Sequence, residues 1–79
     1  MYLEIITPEK TLYNNEIKYV QIPGSDGYFG ILENHAPLIS TLGEGTVKIK
    51  EENNEEKFFE IKGGVAEVLK NNIVILAKF

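Results

Sequence analysis

The stretch TVKIKEENNEEKFFEI, residues 46–61, decides the fold class of this chain. At its start Val47 and Ile49 point one way and the neighbouring lysines the other, which is the period-2 alternation of a half-buried strand. An acidic run follows and centres on Asn53-Asn54, and asparagine tolerates the positive φ that tight turns require. A second apolar run, FFEI, comes next. This order of strand, turn and strand predicts a β-hairpin.

The rest of the chain repeats this pattern on both sides of the hairpin. Further apolar runs of strand length are IKYVQI, GVAEVL and NIVILAKF, and turn signals separate the runs about every 8 to 12 residues. These signals are TPEK, Asn14-Asn15, PGSDG, ENHAP, GEG, EENNEE, GG and KNN. No long capped amphipathic helix, linker or internal repeat interrupts residues 1–79. The sequence therefore predicts one all-β domain, antiparallel throughout, built as a sandwich or a barrel.

Two of the runs carry more specific expectations about the core. In IKYVQI, residues 17–22, the core candidates are Ile17, either Tyr19 or Val20, and Ile22. The run NIVILAKF, residues 72–79, is almost continuously apolar. Such a run is typical of a strand that is buried on both faces.

Composition and charge exclude several classes of partner. The chain carries a net charge of −4 from 12 acids and 8 lysines, with no arginine and no cysteine. An acidic, arginine-free chain is a poor ligand for nucleic acid and lacks the polybasic patch of a membrane-surface protein. Its longest purely apolar stretch, IVILA, is far shorter than the ~20 residues of a membrane span. With no signal-peptide pattern at its start, we expect an intracellular chain that binds no nucleic acid and does not insert into a bilayer.

The only histidine, His35, is the first candidate for chemistry. Nucleophilic catalysis would require a hydroxyl or thiol beside this base and a third group that orients it. Neither Ser25 nor Ser40 lies in the strand–turn–helix pattern of a nucleophile elbow, and one histidine is a poor start for a zinc site. We expect His35 to pack in the turn before Pro37 or to contact a partner. A small hydrolytic or metal-dependent enzyme centred on His35 is the alternative.

The glycine-rich segment GSDGYFG, residues 24–30, is the second candidate. Its spacing of Gly24, Gly27 and Gly30 is that of neither a dinucleotide-binding turn nor a Walker A loop, so we expect a tight hairpin rather than a phosphate site. Tyr28 and Phe29 lie near the tip of this hairpin. Aromatic side chains there act either as core plugs or as contact anchors, and the sequence leaves both readings open.

The remaining charged residues point to a solvated surface without a catalytic group, cofactor or metal. Glu51, Glu52, Glu55 and Glu56 surround the predicted turn at Asn53-Asn54, where a charge run is usually a solvated loop. A biotinyl- or lipoyl-type carrier domain is another acidic β fold and would need an exposed lysine on a tight hairpin. Lys62 is the nearest match and lacks the flanking residues of that motif. This carrier, or another small β-sandwich binding module, is the second function considered.

Three motifs, taken together in order and spacing, resemble a known family. They are G-x-x-G-x-x-G-I-L at 24–32, H-A-P-L at 35–38 and G-G-V-A-E-V at 63–68. From about Leu3 to Ala77 the chain resembles the N-terminal β-sandwich domain of the epsilon subunit of F-type ATP synthase. The resemblance implies a two-layer antiparallel sandwich of about ten short strands. It also implies a non-catalytic subunit of the central stalk, without a cofactor, that couples rotation to ATP synthesis.

The resemblance also implies two partners and the residues that face them. The family's gamma-facing positions map onto Thr7, His35 and Ser40. Its c-ring-facing segment maps onto the following five residues: Ser25, Asp26, Gly27, Tyr28 and Phe29. His35 is then an interface residue rather than a catalyst, and the gamma-binding face should carry an exposed apolar patch. The implied location is peripheral, in the F1 sector on the cytoplasmic face of a bacterial plasma membrane.

The sequence departs from the family pattern in two turns, at one contact and at its end. Many relatives carry Ser-Gly at Asn14-Asn15 and Pro-Gly at Glu33-Asn34, and asparagine in place of glycine predicts that the positive-φ turns are kept. Many carry an acid at Tyr28, so a contact there would be apolar or a hydroxyl bond. Family members usually continue into a two-helix domain that can inhibit ATP hydrolysis, whereas this sequence stops at Phe79. As a full-length chain it is expected to couple gamma to the c-ring without such inhibition.

Overall fold

The computed structural model describes residues 1–79 and contains eight β-strands and no helix. The strands are β1 (Tyr2–Ile6), β2 (Thr11–Gly24), β3 (Gly27–Ile31), β4 (Leu38–Leu42), β5 (Gly45–Glu51), β6 (Glu56–Ile61), β7 (Gly63–Leu69) and β8 (Asn72–Lys78). No helix of the length and apolarity that a membrane crossing needs is present. The predicted hairpin of residues 46–61 is confirmed, because β5 and β6 pair antiparallel from Gly45–Ile61 to Lys50–Glu56.

The long strand β2 joins the two layers of a β-sandwich. Its first part pairs with β1, and its last part pairs with β3 and β5. We call the layer β2–β1–β8–β7–β4 sheet one and the layer β3–β2–β5–β6 sheet two. Counting β2 once in each layer gives nine strand segments, close to the ten expected, so the predicted two-layer β-sandwich is confirmed.

One strand pair departs from the antiparallel prediction. β1 and β8 pair parallel, with Tyr2 opposite Asn72 and Ile6 opposite Leu76. A parallel pair requires a long connection, and here the connection is the rest of the chain between the first and last strands. This pairing is invisible to local turn signals, which only report antiparallel hairpins.

A β-bulge decides which side chains of β2 enter the core. The register of β2 against β5 shifts between Ile17 and Tyr19. The extra residue reverses the alternation, so Ile17, Val20 and Ile22 are all buried and Tyr19 is not. Of the two candidates left open by the sequence, Val20 is therefore the core residue. It belongs to a single cluster of 15 buried apolar residues between the sheets.

Two sequence predictions about strands were wrong. The last strand, β8, is buried on one face only: Ile73 and Ile75 are in the core, whereas Leu76 is 51% exposed. Asn14-Asn15 is not a positive-φ turn but lies inside β2, opposite Glu4 and Leu3 of β1. The apolar outer side of β8 is thus available for contacts, and β2 continues without a turn through Asn14-Asn15.

Asparagine does occupy positive-φ turns elsewhere in the chain. The φ angles are 66° at Asn34, 70° at Asn54 and 64° at Asn71. The positive-φ turn expected at Asn34 is therefore confirmed. Asn34 and Asn71 also bond to each other: the Asn34 amide donates to the Asn71 side-chain oxygen at 2.7 Å, and the Asn71 side chain donates back at 3.2 Å. This pair ties the β3–β4 loop to the β7–β8 turn.

Candidate interaction surfaces

The β2–β3 hairpin, whose tip is Ser25–Phe29, is attached to both sheets. The Ser25 amide donates to the Thr41 carbonyl at 3.0 Å, and the two hydroxyls of these residues are 2.9 Å apart. The Tyr28 hydroxyl accepts from the Thr46 amide at 2.9 Å. The hairpin is the tight, glycine-dependent turn that was predicted, because Gly27 has a φ of 130°, which side chains rarely adopt.

The two aromatic residues of this hairpin, Tyr28 and Phe29, differ in role: one packs in the core and the other is free for a contact. Phe29 is half-buried and packs against the core cluster. Tyr28 is 54% exposed and lies against Pro23 and Gly45, at the outer surface of sheet two. Phe29 is thus the plug and Tyr28 the residue available for an outside contact. Asp26 is exposed between them and the Ser25 anchor.

Thr7, His35 and Ser40 lie around sheet one and are not brought together. Thr7 is in the β1–β2 turn, where its side-chain oxygen accepts from the Lys10 amide at 3.2 Å. His35 lies in the β3–β4 loop at the opposite end of the sheet, where its amide donates to the Leu32 carbonyl at 3.2 Å. Ser40 is within β4, opposite Ala66 of β7. All three are at least partly accessible, but they form three separate points rather than one site.

His35 has no catalytic constellation around it. Its Nδ1 lies 2.8 Å from the carbonyl of Ala36 and donates to it in the Nδ1–H tautomer. The hydroxyls of Ser25 and Ser40 bond to Thr41 instead. No group of three or more His, Cys, Asp or Glu side chains is placed to hold a metal ion. The geometry thus offers neither an activated nucleophile nor a metal site at this histidine.

The outer side of sheet one carries an aliphatic face, which we define as Ile6, Ile39, Val65, Val74 and Leu76. The strand register places Ile6, Leu76 and Val65 side by side across three neighbouring strands. Leu76 is 51% exposed, Val65 37% and Ile39 71%. Next to them an open apolar groove of about 470 Å³ runs between the β1–β2 turn and the ends of β7 and β8. Ile6, Leu76 and Val65 are contiguous, whereas Glu67 lies between Ile39 and Val74 in the neighbouring row of the ladder. A contiguous exposed apolar patch marks an interaction site.

The outer side of sheet two differs in chemistry. It carries Tyr19, Tyr28 and Phe58, interspersed with charged residues such as the Lys48–Glu56 ion pair at 3.5 Å. Lys48 lies directly opposite Phe58 in the ladder and so interrupts the aromatic surface. The two outer faces of the sandwich therefore differ: that of sheet one is mainly aliphatic, with Glu4 and Glu67 beside the aliphatic face, and that of sheet two is aromatic and charged.

Comparison with known proteins decides the family. Residues 1–79 match the family described as the ATP synthase, Delta/Epsilon chain, beta-sandwich domain. The chain is 41% identical over 78 residues to the ATP synthase epsilon chain of Caulobacter vibrioides, and the match covers 99% of this chain and 90% of the relative. The chain belongs to this family.

Other epsilon-family relatives are longer. The ATP synthase epsilon chain of Leptospira interrogans is 45% identical over 74 residues, and this chain spans 58% of its length. Among solved structures, a chain of the Euglena gracilis mitochondrial ATP synthase superposes with a TM-score of 0.89 at 21% identity, covering 95% of this chain and 48% of that one. A chain in a structure of the central stalk and c-ring of the Tetrahymena thermophila mitochondrial ATP synthase gives a TM-score of 0.82, also at 21% identity, covering 100% of this chain and 63% of that one. At this identity the structures show a common fold.

A buried polar cluster of this epsilon-family domain was missed by the sequence analysis. Glu51, predicted to lie in a solvated loop, is only 8% exposed. Its carboxylate accepts from the Tyr13 hydroxyl at 2.5 Å and from the Asn15 side-chain amide at 3.4 Å. The Tyr13 ring in turn meets Phe59 edge-on, with the ring centroids 5.6 Å apart. The other three glutamates of the run are exposed, as predicted.

These contacts shift the acidities of both partners. Hydrogen bonding from Tyr13 lowers the pKa of Glu51 below its ordinary value, against the opposing effect of burial. Burial, together with the bond to the carboxylate, raises the pKa of Tyr13 to about 12. The pair is therefore a neutral phenol and an ionised carboxylate near neutral pH. It joins the start of β2 to the end of β5 across 38 residues of sequence, so it acts as a strut rather than as an acid–base pair.

The geometry at Lys62 does not suit a carrier domain. Lys62 is the single residue between β6 and β7, and these strands do not pair with each other. Its amide donates to the Lys78 carbonyl at 2.7 Å. Lys62 therefore lies on a crossover between the two sheets and not at the tip of a hairpin, where a carrier lysine must project to reach an enzyme.

Proposed function

We propose that residues 1–79 act as one β-sandwich unit in the central stalk of an F-type ATP synthase, where they bind the gamma subunit and contact the c-ring without catalysing a reaction. The observation that carries this proposal is the family match over residues 1–79, together with relatives named ATP synthase epsilon chain. The structural neighbours come from assemblies whose descriptions name F1, the c-ring and the central stalk.

The proposed c-ring contact is the segment Ser25–Phe29. In its favour, the segment forms one exposed hairpin tip at the end of the sandwich, and Asp26 and Tyr28 project from it. The Tyr28 hydroxyl already accepts from Thr46, which leaves mainly its aromatic ring and hydroxyl proton for a partner. This chain would offer an aromatic contact at Tyr28 beside the carboxylate of Asp26.

The proposed gamma contact includes Thr7, His35 and Ser40 and extends over the aliphatic face. Thr7 borders the apolar groove beside Leu76. The alternation of β4 puts Ile39 and Thr41 on the outer side and the partly accessible Ser40 on the opposite side, so a partner would reach Ser40 from the end of the sheet. His35 marks the far end of the same sheet. Three points around one sheet are best explained by a partner that lies along the sheet, and the aliphatic face would supply most of the buried apolar area.

The proposed location follows from these contacts. A unit that binds gamma and touches the c-ring is peripheral to the membrane and part of the F1 sector. Its similarity to bacterial epsilon chains favours the cytoplasmic face of a bacterial plasma membrane.

Calorimetric titration of the chain with purified cognate gamma subunit tests the proposal. We expect 1:1 binding, weakened by Thr7→Ala, His35→Ala or Ser40→Ala. A matched control is Ser25→Ala, which lies in the hairpin tip and should leave gamma affinity unchanged. Absence of binding at tens of micromolar would contradict the proposed role, and full affinity in all three alanine variants would remove the proposed gamma-facing residues while leaving the role intact.

A further inference from the structure

The β2–β5 ladder ends just before the tip of the β2–β3 hairpin. Its last recorded pair is Gln21 opposite Lys48. If this register continued, Pro23 would lie opposite Thr46. Instead β2 leaves β5 at this point and pairs through Gly24 with Leu42 of β4. The Thr46 amide would be left without a ladder partner at this point. The Tyr28 hydroxyl takes that place and accepts from it at 2.9 Å.

The space for Tyr28 exists because residue 45 is glycine. A Cβ atom at Gly45 would lie 2.5 Å from the Tyr28 hydroxyl and 2.7 Å from the Pro23 side chain. The φ angle of Gly45 is not in the positive region, so the glycine is required here by close approach and not by backbone conformation. Tyr28 is therefore seated in a prepared position on β5, although its side chain is exposed to solvent on the other side.

The other side of the hairpin tip is bound to the other sheet. Ser25 contacts Thr41 of β4 twice, through its amide at 3.0 Å and through its hydroxyl at 2.9 Å. The Gly43 amide donates to the Pro23 carbonyl at 2.9 Å. The tip thus has one anchor in sheet one, at Ser25, and one in sheet two, at Tyr28.

We propose that Tyr28 and Ser25 are positioning residues that clamp the hairpin tip to both sheets, so that a force applied at the tip is transmitted to the whole sandwich. The inference rests on the proposed function in one respect, namely that the tip is the c-ring contact. A hairpin held by its own two strands alone would bend about the β2–β3 ladder. Two anchors on opposite sides of that ladder block this motion, because each would have to break before the tip could tilt.

The clamp is tested first by amide hydrogen exchange on the isolated chain. Tyr28→Phe removes only the hydroxyl, and we expect the Thr46 amide to exchange roughly fivefold faster, the change that losing one ordinary hydrogen bond produces. Tyr19→Phe is the matched control, because the Tyr19 hydroxyl lies on the same outer face, over Gly30 of β3, and takes no part in the bond to the Thr46 amide. Gly45→Ala, which displaces Tyr28 from the opposite side, should raise the same exchange rate. Unchanged Thr46 exchange in both Tyr28→Phe and Gly45→Ala would overturn the clamp.

The positioning role is tested next in the assembled enzyme. The cognate F-type ATP synthase is reconstituted in vesicles with this chain, and protons pumped per ATP hydrolysed are measured beside gamma affinity. We expect the double variant Tyr28→Phe, Ser25→Ala to lower the coupling ratio at least twofold while its affinity for gamma stays the same. The control variant Tyr19→Phe should keep both the coupling ratio and the gamma affinity of the unsubstituted chain. Faster Thr46 exchange with an unchanged coupling ratio would overturn the positioning role and leave the proposed function standing. If the unsubstituted chain neither bound gamma nor supported coupling, the proposed function would fail and the coupling role with it, while the exchange rates would still decide the clamp.

Discussion

At the scale of single residues, the Glu51 carboxylate depends on two donors, and the closer of them can be removed without changing the shape of the side chain. Tyr13→Phe keeps the edge-on contact with Phe59 but takes away the hydroxyl that bonds to the carboxylate. Hydrogen bonds to charged groups are worth about 1.5 to 3 kcal/mol, and partial exposure of Tyr13 favours the lower end of that range. We expect urea unfolding at pH 7 to show this loss. Tyr19→Phe should change stability by less than about 0.5 kcal/mol, and an equal effect of both variants would contradict the strut.

The same pair makes stability depend on pH at both extremes. Because the folded-state pKa of Glu51 is lowered, its contribution is present above its ordinary pKa of 4.5 and is lost as the pH falls through the folded value. Because the folded-state pKa of Tyr13 is raised from 10.0 to about 12, its contribution is complete below pH 10 and is lost as the pH rises toward 12. We expect unfolding curves of Tyr13→Phe to depend less on pH in both windows. A pH dependence identical to that of the unsubstituted chain would show that other groups control it.

At the scale of strands, the β7–β8 hairpin depends on a glycine at its start. Gly64 has a φ of 150°, and a Cβ atom there would collide with the carbonyl oxygen of Leu76 on the neighbouring strand. Gly64→Ala should therefore cost more than about 2 kcal/mol of folding free energy, from backbone strain and from the displaced strand. Gly43→Ala is the control, since the nearest atom to its Cβ would be Ser25 Cα at 4.0 Å. Thermal unfolding of both variants measures the difference, and similar melting temperatures would contradict it.

Strand alternation and turn residues were enough to predict the fold class, because both act within a few residues. The hairpin of residues 46–61 and the positive φ of Asn34 follow from such local chemistry. The burial of Val20 instead of Tyr19 did not, since it depends on a bulge that appears only when β2 meets β5. Burial of Glu51 was also unpredictable, because its partner Tyr13 is 38 residues away. Of the candidate site, the hairpin tip was predicted as one unit, but no local pattern revealed its anchor at Thr46.

At the scale of the whole molecule, the sandwich combines two chemically different faces with one hairpin tip at its end. The core is a single cluster shared by both sheets, and the Cα radius of gyration is only 11.2 Å. Packed interiors of this kind resist compression. A force entering at the hairpin tip therefore reaches the outer face of sheet one through a continuous body. This arrangement suits the proposed role, in which one partner binds a face of the sandwich and a second acts on its end.

One pair of matched substitutions can decide which outer face of the sandwich binds gamma. Leu76→Asp places a charge in the aliphatic face, and Phe58→Asp places one in the outer face of sheet two. Both side chains are more than half exposed, at 51% and 58%, so neither change should unfold the chain. If the aliphatic face binds gamma, Leu76→Asp leaves a carboxylate to be desolvated in an apolar interface. It should then weaken binding at least tenfold, whereas Phe58→Asp should stay within twofold. Titration of each variant with gamma measures this, with circular dichroism to verify folding. The reverse order of affinities would place the gamma interface on sheet two.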